Sequence, residues 1–138
     1  TGSVEGDYTL GGLVGSNSNS INSCYALGAV IGNNDWIGGL VGTNYNSGSI
    51  NNSYAVGAVS GSNWIGGLVG EDYGAVDSSY YDLETTGQSD DAGKGFPRTT
   101  TQMQEGTADS TINGDSMYTG WDTGIWDFGD TNSYPELK

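Results

Sequence analysis

The stretch Gly11-Gly12-Leu13-Val14-Gly15 occurs three times in the chain, at residues 11–15, 38–42 and 66–70. Successive copies are offset by 27 and 28 residues. A nearly constant period of this length is the sequence signature of a repeat architecture, in which each unit stacks on its neighbours. We therefore expect the chain to be built from equivalent units of about 28 residues.

Two further blocks recur in step with the first. An Asn- or Asp-Ser block that ends in Tyr or Tyr-Ala occurs at residues 22–26, 52–55 and 77–80, and a Gly-Ala-Val block occurs at residues 28–30 and 57–59. Each unit thus holds three short apolar segments, separated by Gly, Asn and Ser, which is typical of β-strands. We predict an all-β fold. It is a parallel β-helix (β-solenoid) of about three coils of about 28 residues with three short strands each, followed by a C-terminal capping segment with a short helix.

Equivalent residues of successive coils lie about 4.8 Å apart in such a solenoid and form columns. Cys24 is expected to occupy the small-residue position that Ser53 and Ser79 occupy in the other units. The columns of large side chains predicted from the alignment are Leu13, Leu40 and Leu68, then Tyr25, Tyr54 and Tyr80, and finally Trp36 and Trp64.

The three blocks resemble the GLUG motif, a repeat of bacterial surface proteins, of some adhesins and of the non-catalytic regions of certain immunoglobulin-A-cleaving peptidases. The resemblance covers about residues 1–82. Residues 83–138 look like the segment that often closes such arrays, with Gly120-Trp-Asp and a terminal Tyr134-Pro-Glu-Leu. The resemblance implies a β-solenoid in an extracellular protein, and it implies no catalytic residues.

The composition excludes several classes of function. The chain has 138 residues, of which 25 are Gly, 17 are Asp or Glu, three are Lys or Arg and none is His, so its net charge is −14. A chain this acidic repels phosphate backbones, which argues against binding to nucleic acid. Without His it can form neither a Ser-His-Asp triad nor a His-ligated zinc site. Its longest apolar stretches are four to five residues, so we predict no membrane insertion.

The charge is unevenly distributed. Residues 1–70 contain three acidic residues and no base, whereas residues 71–138 contain 14 acidic and three basic residues. We therefore divide the chain into solenoid repeats, residues 1–82, and an acidic C-terminal cap, residues 83–138. The alternative for the second part is a small separate domain tethered by residues 87–95.

Two elements are predicted within the C-terminal part. The segment Thr99-Thr-Thr-Gln-Met-Gln-Glu105 predicts one or two helical turns, with Thr99 or Thr100 as the N-cap. Aromatic and polar residues alternate between Trp121 and Tyr134, which predicts one or two strands.

The first residues match the Gly-Ala-Val block, so the chain enters partway through a repeat. The first coil would then present open strand edges, which are templates for pairing with another chain. Either more coils precede this segment, or a neighbouring subunit covers it. The predicted self-association residues are Thr1, Gly2, Ser3 and Val4.

Two sets of residues are candidates for ligands. Trp36 and Trp64 could form a stacked platform for sugar rings, or they could simply fill a corner between coils. Asp127, Asp130 and Asn132 are weak candidates for a calcium site, because Ca²⁺ prefers hard oxygen ligands. The alternative is a solvated acidic surface, since no acidic cluster has the EF-hand order, and we expect no other cofactor. The further clusters considered are Asp90 with Asp91, and Asp109 with Asn113 and Asp115.

These observations favour a structural function. We predict a module of an extracellular, cell-surface or filament protein that stacks axially on further repeats or on identical subunits. The alternative is an adhesin module that binds a glycan or a host surface protein. We expect the chain not to be an enzyme, because its coils hold few carboxylates and no bases. Since it begins without Met and without a leader, we expect a mature product or a fragment of a longer protein.

Overall fold

Three coils of a parallel β-solenoid form the body of the protein. A computed structural model describes residues 2–89, 94–106, 111–112 and 115–138. Each strand of a coil pairs in parallel with the equivalent strand of the next coil, and this holds for every strand position in residues 4–82. The predicted all-β solenoid is therefore confirmed.

The strands are short and fall into equivalent positions. The first coil contains β1 (Val4–Gly6), β2 (Leu10–Gly11), β3 (Val14–Asn17), β4 (Ser20–Asn22) and β5 (Tyr25–Ala26). The second coil contains β6 (Val30–Gly32), β7 (Asp35–Gly38), β8 (Val41–Asn44), β9 (Ser49–Asn51) and β10 (Tyr54–Ala55). The third coil contains β11 (Val59–Ser60), β12 (Asn63–Gly66), β13 (Val69–Asp72), β14 (Ala75–Asp77) and β15 (Tyr80–Asp82).

Each coil thus has five strands where three were predicted, because the predicted segments contain corners. The Gly-Gly-Leu-Val-Gly block is one such corner: β7 ends at Gly38 and β8 begins at Val41. A Cβ on Gly38 would collide with the carbonyl oxygen of Val41 in the same coil. A Cβ on Gly39 would collide with the carbonyl oxygen of Gly67 in the next coil. Gly is therefore required both to turn the chain and to let the coils approach.

The corners also use left-handed backbone at residues other than Gly. Trp36 and Trp64 have φ of 64° and 48°, and Thr9 has φ of 56° at the equivalent position of the first coil. A second column of left-handed residues stands between the fourth and fifth strands of each coil. Its members are Ser23, Asn52 and Ser78. Positive φ is strained for residues such as Thr and Trp. The recurrence of this conformation at equivalent positions therefore means that the stacking of the coils imposes it.

The apolar interior follows the repeat. Its main cluster contains Leu40 and Leu68, which are fully buried, together with Val41, Val69 and Ile50. The backbone N–H of Leu13 donates to the carbonyl of Leu40, and the backbone N–H of Leu40 donates to the carbonyl of Leu68. A smaller cluster is built on Val30, Ile37 and Val59.

The second coil contains the extra residues of the middle repeat. Two residues separate β3 from β4 and two separate β13 from β14, whereas four, residues 45–48, separate β8 from β9. The insertion therefore lengthens a surface turn and leaves the strand register unchanged.

The described residues of the C-terminal part form two short helices and five short strands. The elements are α1 (Leu83–Thr86), β16 (Phe96–Arg98), α2 (Thr100–Met103), β17 (Thr111–Ile112), β18 (Asp115–Ser116), β19 (Trp126–Asp127) and β20 (Glu136–Leu137). Helix α2 begins after Thr99, one of the two predicted N-caps, and the Thr99 side chain forms a capping box with Gln102. Strand β19 pairs antiparallel with β20, which confirms one strand between Trp121 and Tyr134.

The C-terminal part packs against the side of the solenoid. Tyr25 and Tyr54 stack with their ring centres 5.2 Å apart and their planes at 5°, which confirms the predicted tyrosine column. Trp121 and Trp126 lie against Tyr54. We call the buried group around these rings the aromatic cluster. Its members are Tyr54, Tyr80, Met103, Met117, Tyr118, Trp121, Trp126 and Phe128.

Candidate functional site

The two ends of the solenoid differ in how far the apolar interior is covered. The outermost strands of the sheets are β1 to β5 at one end and β11 to β14 at the other, where β16 covers only β15. We call the end with β1 to β5, the side of the first coil that points away from the second coil, the first-coil face. Leu13 on this face is 48% exposed, whereas Leu40 and Leu68 in the same column are fully buried. The first coil therefore presents both strand edges and part of the apolar interior to solvent.

The interior at the other end is covered by the chain itself. Tyr81 lies against the backbone of Gly67, and Gly95 packs on the side chain of Leu68. Leu83 packs against the main apolar cluster, and β16 adds a fourth strand to the sheet that contains β15. Among the described residues, the apolar interior is therefore more accessible at the first-coil face than at the opposite end.

The predicted self-association residues lie at the first-coil face, with Thr1 outside the described residues. Val4 pairs with Val30 and donates its backbone N–H to Ala29, so one edge of β1 is used within the chain. Gly2 and Ser3 are exposed. The prediction missed Leu13, the large apolar side chain of this face, although its place in the first of three Gly-Gly-Leu-Val-Gly copies was a usable signal.

A row of polar side chains runs along the solenoid with a fixed direction. The Nδ2 atom of Asn17 donates to Oδ1 of Asn44 at 2.8 Å, and Nδ2 of Asn44 donates to Oδ1 of Asp72 at 2.7 Å. Asn44 is fully buried. The side chain of Asp72 has no N–H with which to extend the row, whereas Oδ1 of Asn17 has a second lone pair besides the one used by the N–H of Asn19. The row can therefore be extended only beyond the first coil.

A second polar row has the same direction. The backbone N–H of Ser53 donates to Oγ of Ser79, and the backbone N–H of Cys24 donates to Oγ of Ser53. Each side chain also donates to the carbonyl two residues before it, including Sγ of Cys24 to Asn22. Cys24 thus occupies the serine position, as predicted, and its sulfur donates to the carbonyl of Asn22 at the first-coil end of the row.

The two tryptophans stack on each other at the corner of the second and third coils. The ring centres of Trp36 and Trp64 are 5.7 Å apart with planes at 16°, and Tyr8 lies 6.2 Å from Trp36 on its other side. A cleft of about 160 Å³ opens beside Trp36, and Trp64 is not among the residues that line it. The cleft is lined by Thr9, Trp36, Thr43, Tyr45 and Tyr73.

The calcium candidates lie in turns near the C-terminus. Oδ1 of Asp127 accepts the backbone N–H of Gly129, and Oδ1 of Asp130 accepts the backbone N–H of Asn132. In the described parts of the chain, no group of three acidic or sulfur ligands is close enough to hold a metal ion. Among the other acidic candidates, Asp90, Asp91, Asp109, Asn113 and the side chain of Asp115 lie outside the described residues.

The described helices are too short for a membrane span. Helices α1 and α2 have four residues each, and within the described ranges no helix has the length and apolar character that crossing a bilayer requires.

Comparison with known proteins agrees with the repeat. The GLUG motif family matches residues 37–60, which is close to one coil of the solenoid. A relative named as a Gly-rich membrane protein, from Evansella cellulosilytica, is 37% identical over 101 residues, which cover 67% of this chain and 12% of the relative. The chain thus spans about an eighth of the length of that relative. No solved structure matches this chain. Residues 37–60 therefore carry a GLUG motif, and the Gly-Gly-Leu-Val-Gly block within it recurs in the coils stacked on either side.

Proposed function

We propose that the chain is a structural β-solenoid module of a surface-associated repeat protein, and that further coils of the same kind continue the solenoid at the first-coil face. The observation that carries this proposal is the difference between the two ends. Leu13 is about half exposed at the first-coil face, while Leu68 at the opposite end is fully buried under the C-terminal part.

Apolar contact and backbone hydrogen bonding both favour a further coil at this face. Covering a large aliphatic side chain such as Leu13 contributes about 1.5–3 kcal/mol when burial is complete. The outer edges of β1 to β5 would gain the parallel pairing that β6 to β10 have on both sides. In repeat proteins each added unit contributes its interface with its neighbour, so continuation stabilises the array.

The donor-to-acceptor direction of the polar rows indicates the end at which a further coil is added. An added coil with Asn at the position of Asn17 would donate to Oδ1 of Asn17, which repeats the contact between Asn17 and Asn44. At the opposite end, the row stops at the carboxylate of Asp72. A coil added at the first-coil face therefore satisfies hydrogen-bond groups that no coil added beyond Asp72 could satisfy in the same way.

Surface association is supported by the relative. That protein is named as a Gly-rich membrane protein and is several times longer than this chain, so a module within a long surface-associated protein is consistent with both facts. An extracellular location and a role in a filament are the finer parts of the proposal. No catalytic role is assigned.

An extended chain tests the proposal. A second copy of residues 28–56, placed directly before Gly2, supplies one coil in register with the first. We expect the free energy of unfolding to rise by about 2 kcal/mol or more, the order expected for covering one large aliphatic side chain. The control carries the same 29 residues in scrambled order. An extended chain no more stable than this control would contradict the proposal.

Sedimentation of the unextended chain distinguishes continuation within a long chain from filaments of identical subunits. Because Leu13 is half exposed at one end while Leu68 is buried at the other, we expect at most a limited dimer through two first-coil faces. Leu13→Lys should abolish that dimer, while Ile31→Lys, which alters an exposed aliphatic residue on the middle coil, should not. Open-ended polymers that persist in the Leu13 variant would overturn the assignment of this face.

A further inference from the structure

We propose that the cleft beside Trp36 binds an organic cation that carries a quaternary ammonium group. This inference is independent of axial continuation, because the cleft opens beside the second coil. It adds a ligand and a ligand class to a surface for which the sequence suggested only a platform of Trp36 and Trp64.

The cleft combines three aromatic residues with two threonines. Trp36, Tyr45, Tyr73, Thr9 and Thr43 line a volume of about 160 Å³. Trp36 is already stacked on Trp64, so the rings open to a ligand are those of Tyr45 and Tyr73. Tyr45 and Tyr73 occupy equivalent positions, since each follows the last residue of its strand, β8 or β13. Coil stacking therefore places the backbones of the two tyrosines at equivalent positions of adjacent coils.

The tyrosine rings of the cleft are available for a ligand. Tyr45 is 47% exposed and Tyr73 is 58% exposed. Among the described residues neither ring packs against another aromatic ring, in contrast to Tyr25 and Tyr54, which stack on each other. The faces of exposed aromatic rings carry negative partial charge and attract a cation.

The charge around the cleft favours a cation. Glu71 is paired in register with Thr43, so it occupies the equivalent position in the next coil. It precedes Tyr73 by two residues in the sequence. In the described structure its carboxylate makes no hydrogen bond and no ion pair. The chain has no Lys or Arg before Lys94, so no base of the solenoid competes for this carboxylate. Glu71 does not line the cleft, but it stands one coil along from Thr43, which does, and a nearby carboxylate adds to the attraction of aromatic rings for a quaternary ammonium group.

Calorimetric titration with choline chloride in physiological salt tests this proposal. We expect saturable binding that Tyr73→Ala weakens about tenfold, because one ring face is lost. Glu71→Gln should weaken binding about threefold or more, whereas Glu5→Gln, which makes the same charge change on β1, should leave it unchanged. Thermal unfolding of each variant shows whether its fold is intact.

Two comparison ligands make the outcome decisive. 3,3-Dimethylbutan-1-ol has the shape of choline without its charge, and we expect it to bind at least tenfold more weakly. Equal binding of the two compounds, absence of choline binding, or preferential binding of a neutral disaccharide would each overturn the proposal. Co-sedimentation with phosphatidylcholine vesicles would assign the cation to a lipid headgroup, and choline binding without co-sedimentation would assign it to a soluble or polymer-borne group.

Discussion

The phenolic hydroxyl of Tyr134 donates a hydrogen bond of 2.6 Å to Oδ2 of Asp82, across 52 positions of sequence. Asp82 is fully buried at the last strand of the solenoid. Its Oδ2 also accepts the hydroxyl of Thr100, and its Oδ1 caps helix α1 through the backbone N–H groups of Glu84 and Thr85. One carboxylate therefore joins the third coil, both short helices and the end of the chain.

Removing the tyrosine hydroxyl tests how strongly this carboxylate fixes the C-terminal part. Tyr134→Phe keeps the ring, which stacks on Tyr54, and deletes the bond to Asp82. We expect a loss of about 1.5 kcal/mol in the free energy of unfolding, since the bond is made to a charged group. Urea denaturation measures the change. Tyr45→Phe is the matched control at an exposed position, and equal losses in the two variants would contradict the role of Asp82.

The hydrogen bond between Tyr134 and Asp82 also predicts that the free energy of unfolding falls at high pH. Burial, together with the hydrogen-bonded carboxylate of Asp82, raises the pKa of Tyr134 to about 12 from an ordinary value of 10.0. Burial also raises the pKa of Tyr54 and of Tyr118. Unfolded phenols lose their protons near pH 10 while the folded ones retain them, so this stabilisation is complete below about pH 10.

We therefore expect the free energy of unfolding to fall as the pH rises from about 10 to about 12. Urea titrations at fixed pH values across this range measure the fall. Tyr134→Phe should reduce its slope, because one of the shifted phenols is gone. A stability that stays constant up to pH 12 would show that these phenols are not held neutral by the fold.

The buried amide row should contribute measurably to stability. Asn44→Ala removes the partner of both Asn17 and Asp72 in the interior of the solenoid. We expect a loss of about 2–3 kcal/mol, because buried polar groups are left without hydrogen bonds. Thermal and urea unfolding report the change. Asn46→Ala, in the exposed turn of the same coil, should change the stability by less than about 0.5 kcal/mol.

The single cysteine should be replaceable by the residue of the other coils. In Cys24→Ser the new hydroxyl can donate to the carbonyl of Asn22, as Ser53 donates to Asn51. We expect the free energy of unfolding to stay within about 0.5 kcal/mol of the original value or to rise. Cys24→Val is the comparison that keeps the volume and removes the donor. A loss above about 1 kcal/mol in the serine variant would mean that the sulfur itself is required.

The periodic part of the fold could be predicted because each coil repeats the same physical constraints. Gly38 and Gly39 leave no space for a Cβ, so the Gly-Gly pair marks a corner in every copy. The count of five strands was missed because a corner between two strands and a continuous strand have similar compositions. The positive φ of Trp36, inside β7, was equally unpredictable, since it is imposed by stacking and has no signal in sequence.

The contacts of the C-terminal part were less predictable. The bond between Tyr134 and Asp82 joins residues outside the repeat, and no period relates them. The cleft between Trp36 and Tyr73 depends on which rings are covered by neighbours in the next coil, which alignment of the repeats does not give. The Ca²⁺ prediction at Asp127, Asp130 and Asn132 stays a prediction.

Amide hydrogen exchange on the extended chain tests the central claim most directly. We expect that adding a copy of residues 28–56 before Gly2 slows exchange of the first-coil backbone, including strands β3 and β4, by at least tenfold relative to the unextended chain. The scrambled control should leave these rates unchanged. If the first-coil amides exchange equally fast in the extended chain and in the control, the first-coil face does not accept a further coil and the proposed function is wrong.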